Sequence, residues 1–377
     1  MDTGKRMSSY SAIAIICSQF LFVFVSYACL GQSKNTSHPF LLPAKFDKNN
    51  IIDQKKYNVW GTNILKGKDG KYHAIYSRWL KSRGHHGWAT HSEIAHAVSD
   101  NLTGPYKFRN VVLPVRGKEF WDGDCTHNPH VIEHNGKYYL YHMGNRGSGY
   151  WNTTPNDRMP STKDTEWWVN RNNQRIGVAI ADDLNGEWKR FDEPLIDIDT
   201  TRRMTSTPVV SIRPDGKFLM VYKYVEEKEG KIGGKVVHVT ALADSPLGSF
   251  KDTGIPFIET ETSKFALDDH VEWSQDGKYY CIGKDHDGSL TPYSKGSMVL
   301  YTSNKEGLIW TLAEEPLVLK SGSLLWTDGT ETLCERIADM PKLYFEKGMP
   351  KALIIAVLPK NSEISFSVVI PLNALED

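Results

Sequence analysis

Short apolar runs, broken by tight-turn residues, recur along most of the chain. One run reaches Ile64-Leu65, passes through Lys66-Gly67-Lys68-Asp69-Gly70 and resumes at Tyr72. The same order returns at Asn135-Gly136-Lys137-Tyr138-Tyr139, Asp215-Gly216-Lys217-Phe218-Leu219 and Asp276-Gly277-Lys278-Tyr279-Tyr280. Glu346-Lys347-Gly348-Met349-Pro350 is a weaker fifth copy. Asn-Gly and Asp-Gly between β-rich runs predict hairpins, because the turn needs positive φ.

A second pattern follows each hairpin. Ala97-Val98-Ser99-Asp100 precedes Gly104 and Tyr106, Ala179-Ile180-Ala181-Asp182 precedes Gly186 and Trp188, and Ala241-Leu242-Ala243-Asp244 precedes Gly248 and Phe250. Tyr301-Thr302-Ser303-Asn304, with Gly307 and Trp310, is looser. Pro114, Pro194, Pro256 and Pro316 close the units. Each unit thus reads as strand, tight turn, strand, variable loop, strand, Asp-x-x-x-Gly turn, strand. Five such units predict an all-β fold, a five-bladed β-propeller of four-stranded antiparallel blades over residues 51–377. Helical patterns of any length are absent. The fifth unit shows three clear strands, so the segment before Tyr57 is expected to close the ring with a strand. Residues 32–50 read as a linker or part of that closure.

The amino terminus changes the picture of location. Lys5 and Arg6 precede an apolar stretch from Ala12 to Ala28, which ends in Cys29-Leu30-Gly31. This order predicts a signal peptide over residues 1–31, export to the periplasm or outside the cell, and no stable membrane span in the mature form. Cys29 is a candidate lipid-attachment site. Beyond it stand only Cys125, Cys281 and Cys334, which make neither a disulfide framework nor a CxxC zinc site. Lys+Arg and Asp+Glu number 45 each, which argues against a nucleic-acid partner. The 11 Trp and 17 Tyr suit stacking on sugar rings as well as packing of a large β protein.

Chain direction then orders the loops. With strands A to D running outward, the A–B and C–D turns share one face. The B–C loops and the starts of strands A share the other. The A–B and C–D turns are short, whereas the B–C loops Leu80–Thr90, Asn145–Arg175 and His286–Gly296 are long. The second holds Trp151 and Trp167 as candidate sugar platforms. Polar strand starts converge on the same rim: Asn58-Val59-Trp60, Thr126-His127-Asn128-Pro129, Thr205-Ser206-Thr207-Pro208, Leu267-Asp268-Asp269-His270 and Cys334-Glu335-Arg336. Trp121-Asp122-Gly123-Asp124 lies just upstream of the second. Two or three carboxylates at an axial pocket are what glycosidic bond cleavage requires, one protonated and one ionised. Asp122, Asp269, Glu335 and Glu93 are the candidate catalytic carboxylates, with His127 as a further proton donor or contact. Arg78, Trp79, Trp121, Asp124, Asn128, Lys284 and Asp285 are candidate substrate contacts. No spacing such as HExxH assigns a metal, although the histidines around His127 leave room for a structural divalent cation on the axis.

At these residues the chain resembles the five-bladed glycoside hydrolases, including families 43 and 117. The Gly-Lys-Tyr-Tyr hairpins, the Asp-x-x-x-Gly-x-aromatic turns and the acidic strand starts carry the resemblance, over nearly all of residues 50–372. It implies an exo-acting hydrolase that releases a terminal sugar to water. One departure matters. Family 43 places an aspartate before a proline at the start of its first blade, where this chain reads Asn58-Val59-Trp60-Gly61. The resemblance therefore leaves the base to Asp122 or Asp124. It likens Asp268-Asp269 and Glu335-Arg336 to acidic elements of the related group. A non-catalytic carbohydrate-binding propeller is the competing reading.

Overall fold

A computed structural model describes residues 38–228 and 231–373. The expected signal segment and Cys29 lie outside them. No helix among the described residues is long and apolar enough to cross a membrane. Strand β1 is Ile51–Ile52. Blade 1 follows as β2 (Tyr57–Lys66), β3 (Tyr72–Leu80), β4 (Glu93–Ser99) and β5 (Lys107–Leu113). Blade 2 is β6 (Cys125–His134), β7 (Lys137–Asn145), β8 (Arg175–Ala181) and β9 (Lys189–Arg190). Blade 3 is β10 (Arg202–Ile212), β11 (Phe218–Lys228), β12 (Lys231–Ala243) and β13 (Lys251–Pro256). Blade 4 is β14 (Leu267–Gln275), β15 (Lys278–Asp285), β16 (Met298–Lys305) and β17 (Ile309–Leu319). Blade 5 contains β18 (Ser323–Leu325), β19 (Glu331–Glu346), β20 (Met349–Pro359) and β21 (Phe366–Pro371). The chain is a five-bladed β-propeller.

The predicted turns form as their residues dictate. Asn135-Gly136, Asp276-Gly277 and Lys347-Gly348 each put two consecutive residues at positive φ, as a tight hairpin needs. Ring closure comes from the amino-terminal side. Ile51 and Ile52 pair antiparallel with Val368 and Ser367 of β21, so blade 5 receives its outer strand from the other end of the chain. The stretch before it is more than a linker. Phe40 is buried and stacks on Trp273, and the Phe46 amide bonds the Leu325 carbonyl at 2.9 Å. Two short helices, α1 (Trp88–His91) and α2 (Thr165–Asn172), sit in the B–C loops of blades 1 and 2. They carry little amphipathic periodicity of their own, which is why the pattern along the chain predicts no helix.

Alternating side chains of each strand face opposite neighbours, so the apolar core is divided into layers between blades. In β3, Ala74 and Tyr76 pack against blade 5 while Ile75 packs against blade 2. Further layers join blades 2 and 3, blades 3 and 4, and blades 4 and 5. The axis is left polar. His130 donates from Nε2 to the Val210 carbonyl at 2.8 Å, so its Nδ1 faces the Lys342 ammonium at 3.2 Å. Burial pushes the Lys342 amine down to about 8, against the fields of Asp269 and Glu272. An axial divalent cation would have to share this stretch with a positive charge. Burial likewise pushes the Glu272 carboxyl up to about 8, and neither of its oxygens has a hydrogen-bond partner among the described residues.

A carboxyl whose pKa rises on folding holds its proton in the folded state after the unfolded chain has lost it. Its contribution is full below its ordinary pKa of 4.5 and is lost as pH rises towards about 8. Glu272→Gln should therefore flatten the stability–pH curve. Denaturant unfolding should show the variant gaining about 1–3 kcal/mol on wild type between pH 5 and pH 8. An unchanged difference between the two pH values would contradict the assignment.

Candidate functional site

The wide-loop face owes its shape to a bulge repeated in the inner strands. Register slips between Trp60 and Asn63, His127 and His130, Ser206 and Val209, Leu267 and His270, and Asp339 and Lys342. Gly61, Asn128, Thr207 and Met340 take positive φ inside four of these slips. Gly61 does so freely, whereas the other three hold left-handed backbone against their Cβ atoms. Such bulges re-aim side chains at a rim. Here they turn the residues of each strand start towards the axis.

The bulges and loops enclose a cavity of about 240 Å³. Trp60, Trp79, Trp88, Trp167 and Phe265 form much of its wall, and Asp268, Asp269 and Asp339 its acidic floor. Buried carboxylates tie the loops down. Asp124 accepts from the Gly147 amide at 2.7 Å and from Asn152 and Asn170 side chains at 2.8 and 3.3 Å. Asp285 accepts from the Gly288 and Thr291 amides and the Thr291 hydroxyl at 2.8–3.0 Å. Trp151 is buried behind the wall, in a cluster with Ala89 and Trp167.

The floor is a linked set of charges. One oxygen from each of Asp268, Asp269 and Asp339 lies within 4.8 Å of the others. Lys223 reaches Asp268 at 2.5 Å, and Lys284 bridges Asp268 at 2.9 Å and Asp339 at 2.6 Å. Arg336 adds a bond to Asp339 at 3.1 Å. Burial alone would raise all three carboxyls. For Asp268, Lys223 and Lys284 outweigh burial and hold it well below the usual range. For Asp339, Lys284 and Arg336 outweigh burial and lower it. Asp269 has Lys223 only at 3.6 Å and accepts one amide bond, from Met340 at 2.9 Å. Burial and the neighbouring Asp268 charge therefore push Asp269 upward. Two carboxyls held below their usual range thus flank a third that is pushed above it.

The other expected residues divide. His127, Asn128 and Trp79 line the cavity with Trp167. His127 stacks on Trp88, bonds the Ser92 hydroxyl at 2.8 Å and is pushed down to about 3 by burial, so its ring is neutral. Lys284 sits under the floor. Asp285, Asp124 and Trp151 support the loops and do not line the cavity. Asp122 lies apart from these. It is fully buried outside the cavity, where Arg116 and Arg190 hold it at 2.8 and 3.0 Å. Burial is outweighed there by His142, Arg116 and Arg190, and the carboxyl stays at about 2. Trp121 stacks on His142 beside it. Glu335 is exposed on β19, short of the funnel. Glu93 pairs with Arg78 at 2.7 Å, and Arg78 lies between the rings of Tyr57 and Phe108, all away from the cavity.

The carboxylate supplied by blade 5 is Asp339, four residues beyond Glu335. The signal for it is Asp339-Met340-Pro341, which matches His127-Asn128-Pro129 and Ser206-Thr207-Pro208 in form. All three place a left-handed residue before proline in the bulge. Lys223 and Arg171 carry no comparable local signal.

No protein-family model matches the sequence, and no curated protein is similar to it. The structure is similar to that of Zg3597, a family 117 glycoside hydrolase of the marine bacterium Zobellia galactanivorans, with TM-score 0.55 and 15% identity over 89% of each chain. It is also similar to a mutant alpha-L-arabinanase of Cellvibrio cellulosa, with TM-score 0.56 and 12% identity over 85% of this chain and 93% of that one. A thermostable family-43 glycoside hydrolase gives TM-score 0.54 and 13% identity over 88% of this chain and 92% of that one. At these identities the likeness shows the fold.

The place of Asp122 yields a test. Asp122→Asn would leave Arg116 and Arg190 facing a neutral amide, a loss of about 3–5 kcal/mol. Thermal unfolding should register that loss, while sugar binding per folded molecule stays as in wild type. Intact stability with lost binding would return Asp122 to the site.

Proposed function

We propose that the chain is an exported, exo-acting glycoside hydrolase that removes a terminal sugar in the cavity. The observation that carries this reading is the graded carboxylate set: Asp269 biased towards its acid form between Asp268 and Asp339, which are held ionised. Pairs of titratable groups whose surroundings drive their pKa values apart are what acid/base cleavage of a glycoside uses. Size supports the exo mode: a cavity of about 240 Å³ is below the range of about 300–1,000 Å³ typical of drug-sized ligands and suits a terminal sugar.

In this reading Asp269 donates its proton to the leaving oxygen as the glycosidic bond breaks. Asp268 and Asp339 face the positive charge that develops at the anomeric carbon, and one of them takes a proton from the water that bonds to that carbon. The neutral His127 and its stacked partner Trp88 orient the ring from the wall. A second reading has one observation in its favour. Lysine ammoniums already neutralise Asp268 and Asp339, as suits a site that only binds sugar.

Turnover separates the two. A screen of aryl glycosides and plant or marine oligosaccharides should find a substrate, and Asp269→Asn should lower kcat by about 10²–10⁴-fold with little change in KM. Retained turnover in that variant would remove Asp269 from the chemistry, and no turnover on any glycoside would favour the binding reading. The acid must be protonated to act, so kcat/KM should fall as pH rises through the raised pKa of Asp269. A pH–rate profile whose alkaline limb survives Asp269→Asn unchanged would assign that limb to another group.

A further inference from the structure

The cavity holds a positive charge that the protein does not answer. Lys223, Lys284 and Arg336 each bond a floor carboxylate. Arg171, from the last turn of α2, also lines the cavity, yet it makes no ion pair among the described residues. Its guanidinium bonds the neighbouring Asn172 side chain at 3.0 Å and lies over the Trp168 ring, 5.6 Å from its centre. Burial pushes its pKa down to about 10, opposed by the field of Asp268. The end of the short helix stabilises a cation by about 1 kcal/mol or less, which does not replace a counter-ion. A half-buried guanidinium that lines a cavity without an ion pair favours an anion beside it.

The balance of the whole site points the same way. Four cations, Arg171, Lys223, Lys284 and Arg336, face three carboxyls, one of which is biased towards its neutral form. Arg336 bonds Asp339 through Nη1, and no other side-chain hydrogen bond is made by its guanidinium among the described residues. Two neutral groups in the same wall are also unanswered among the described residues: the Asn128 Oδ1 acceptor and the Gln174 Nε2 donor, both buried. These match ring hydroxyls, and the guanidiniums match a carboxylate, whose planar fork suits theirs.

We propose that the sugar bound here is anionic, a terminal hexuronic acid whose carboxylate is taken by Arg171 with help from Arg336. This rests on the hydrolase reading and names its substrate class. The test measures binding of D-glucuronate and D-galacturonate against D-glucose and D-galactose by calorimetry on the full chain, with galactose 6-sulfate as a third arm. The uronates should bind about tenfold more tightly or better than the neutral sugars, and the gap should narrow with salt. Arg171→Met should weaken uronate binding far more than neutral-sugar binding and so close the gap, while Arg171→Lys keeps part of it. Neutral sugars binding as well as uronates, a sulfate preferred to a carboxylate, or an Arg171→Met variant weakened equally for all sugars would overturn the inference. Cleavage of neutral aryl glycosides with rejection of glycuronides would overturn it alone and leave the hydrolase reading standing. Failure to bind or cleave any sugar would overturn both.

Discussion

The ammonium of Lys284 is the interaction on which the floor depends. It lies 2.9 Å from Asp268 in its own blade and 2.6 Å from Asp339 in blade 5. Lys223 brings blade 3 into the same set through Asp268. Without Lys284, carboxylates whose oxygens lie within 4.8 Å of one another would repel, and protons would have to neutralise some of them. With it, Asp268 and Asp339 stay ionised while buried, and the strain of like charge falls on Asp269. The acid character of Asp269 is therefore made by its neighbours' pairing as much as by its own burial.

The scaffold makes such a set affordable because its apolar contacts are elsewhere. Each inner strand gives its alternate side chains to the layers between blades, so none of the axial positions has to be apolar for the ring to hold together. The bulges then aim those positions without loosening the ladder, since pairing resumes on both sides of every slip. Long B–C loops cover the rim, and they are fixed by the buried carboxylates Asp124 and Asp285. The site is thus built on strands and roofed by loops that are anchored one residue type at a time.

This division explains what could be read from the sequence. Turns and alternation are local, and so the blades, the face bearing the wide loops, and the place of Asp269, His127, Asn128, Trp79 and Trp167 were legible. Pairing partners are not local. Asp122 and Asp269 both precede or begin an inner strand, yet Arg116 and Arg190 claim the first, while the second meets Lys223 at 3.6 Å and the Met340 amide. Nothing in Trp121-Asp122-Gly123-Asp124 says that Asp124 will serve the Gly147 amide. Glu335 reads as a candidate carboxylate of blade 5, but β19 begins well before the funnel, and the bulge at Met340 brings Asp339 to the cavity. Lys223 and Arg171 come from elements whose spatial neighbours are distant in the chain, and their roles appear only when the blades are assembled.

Recognition and proton donation are coupled in such a site. An anion held by Arg171 and Arg336 would offset the positive surplus of the cavity and place a further negative charge near Asp269. Like charge favours the protonated form of a carboxyl. Binding of the substrate would therefore reinforce the state of Asp269 that cleavage needs, and departure of the anionic product would relax it. A neutral sugar would fill the same space and stack on the same tryptophans without that effect. Discrimination would then reside in the step that protonates the leaving oxygen as well as in affinity, because the group that identifies the substrate also readies the acid.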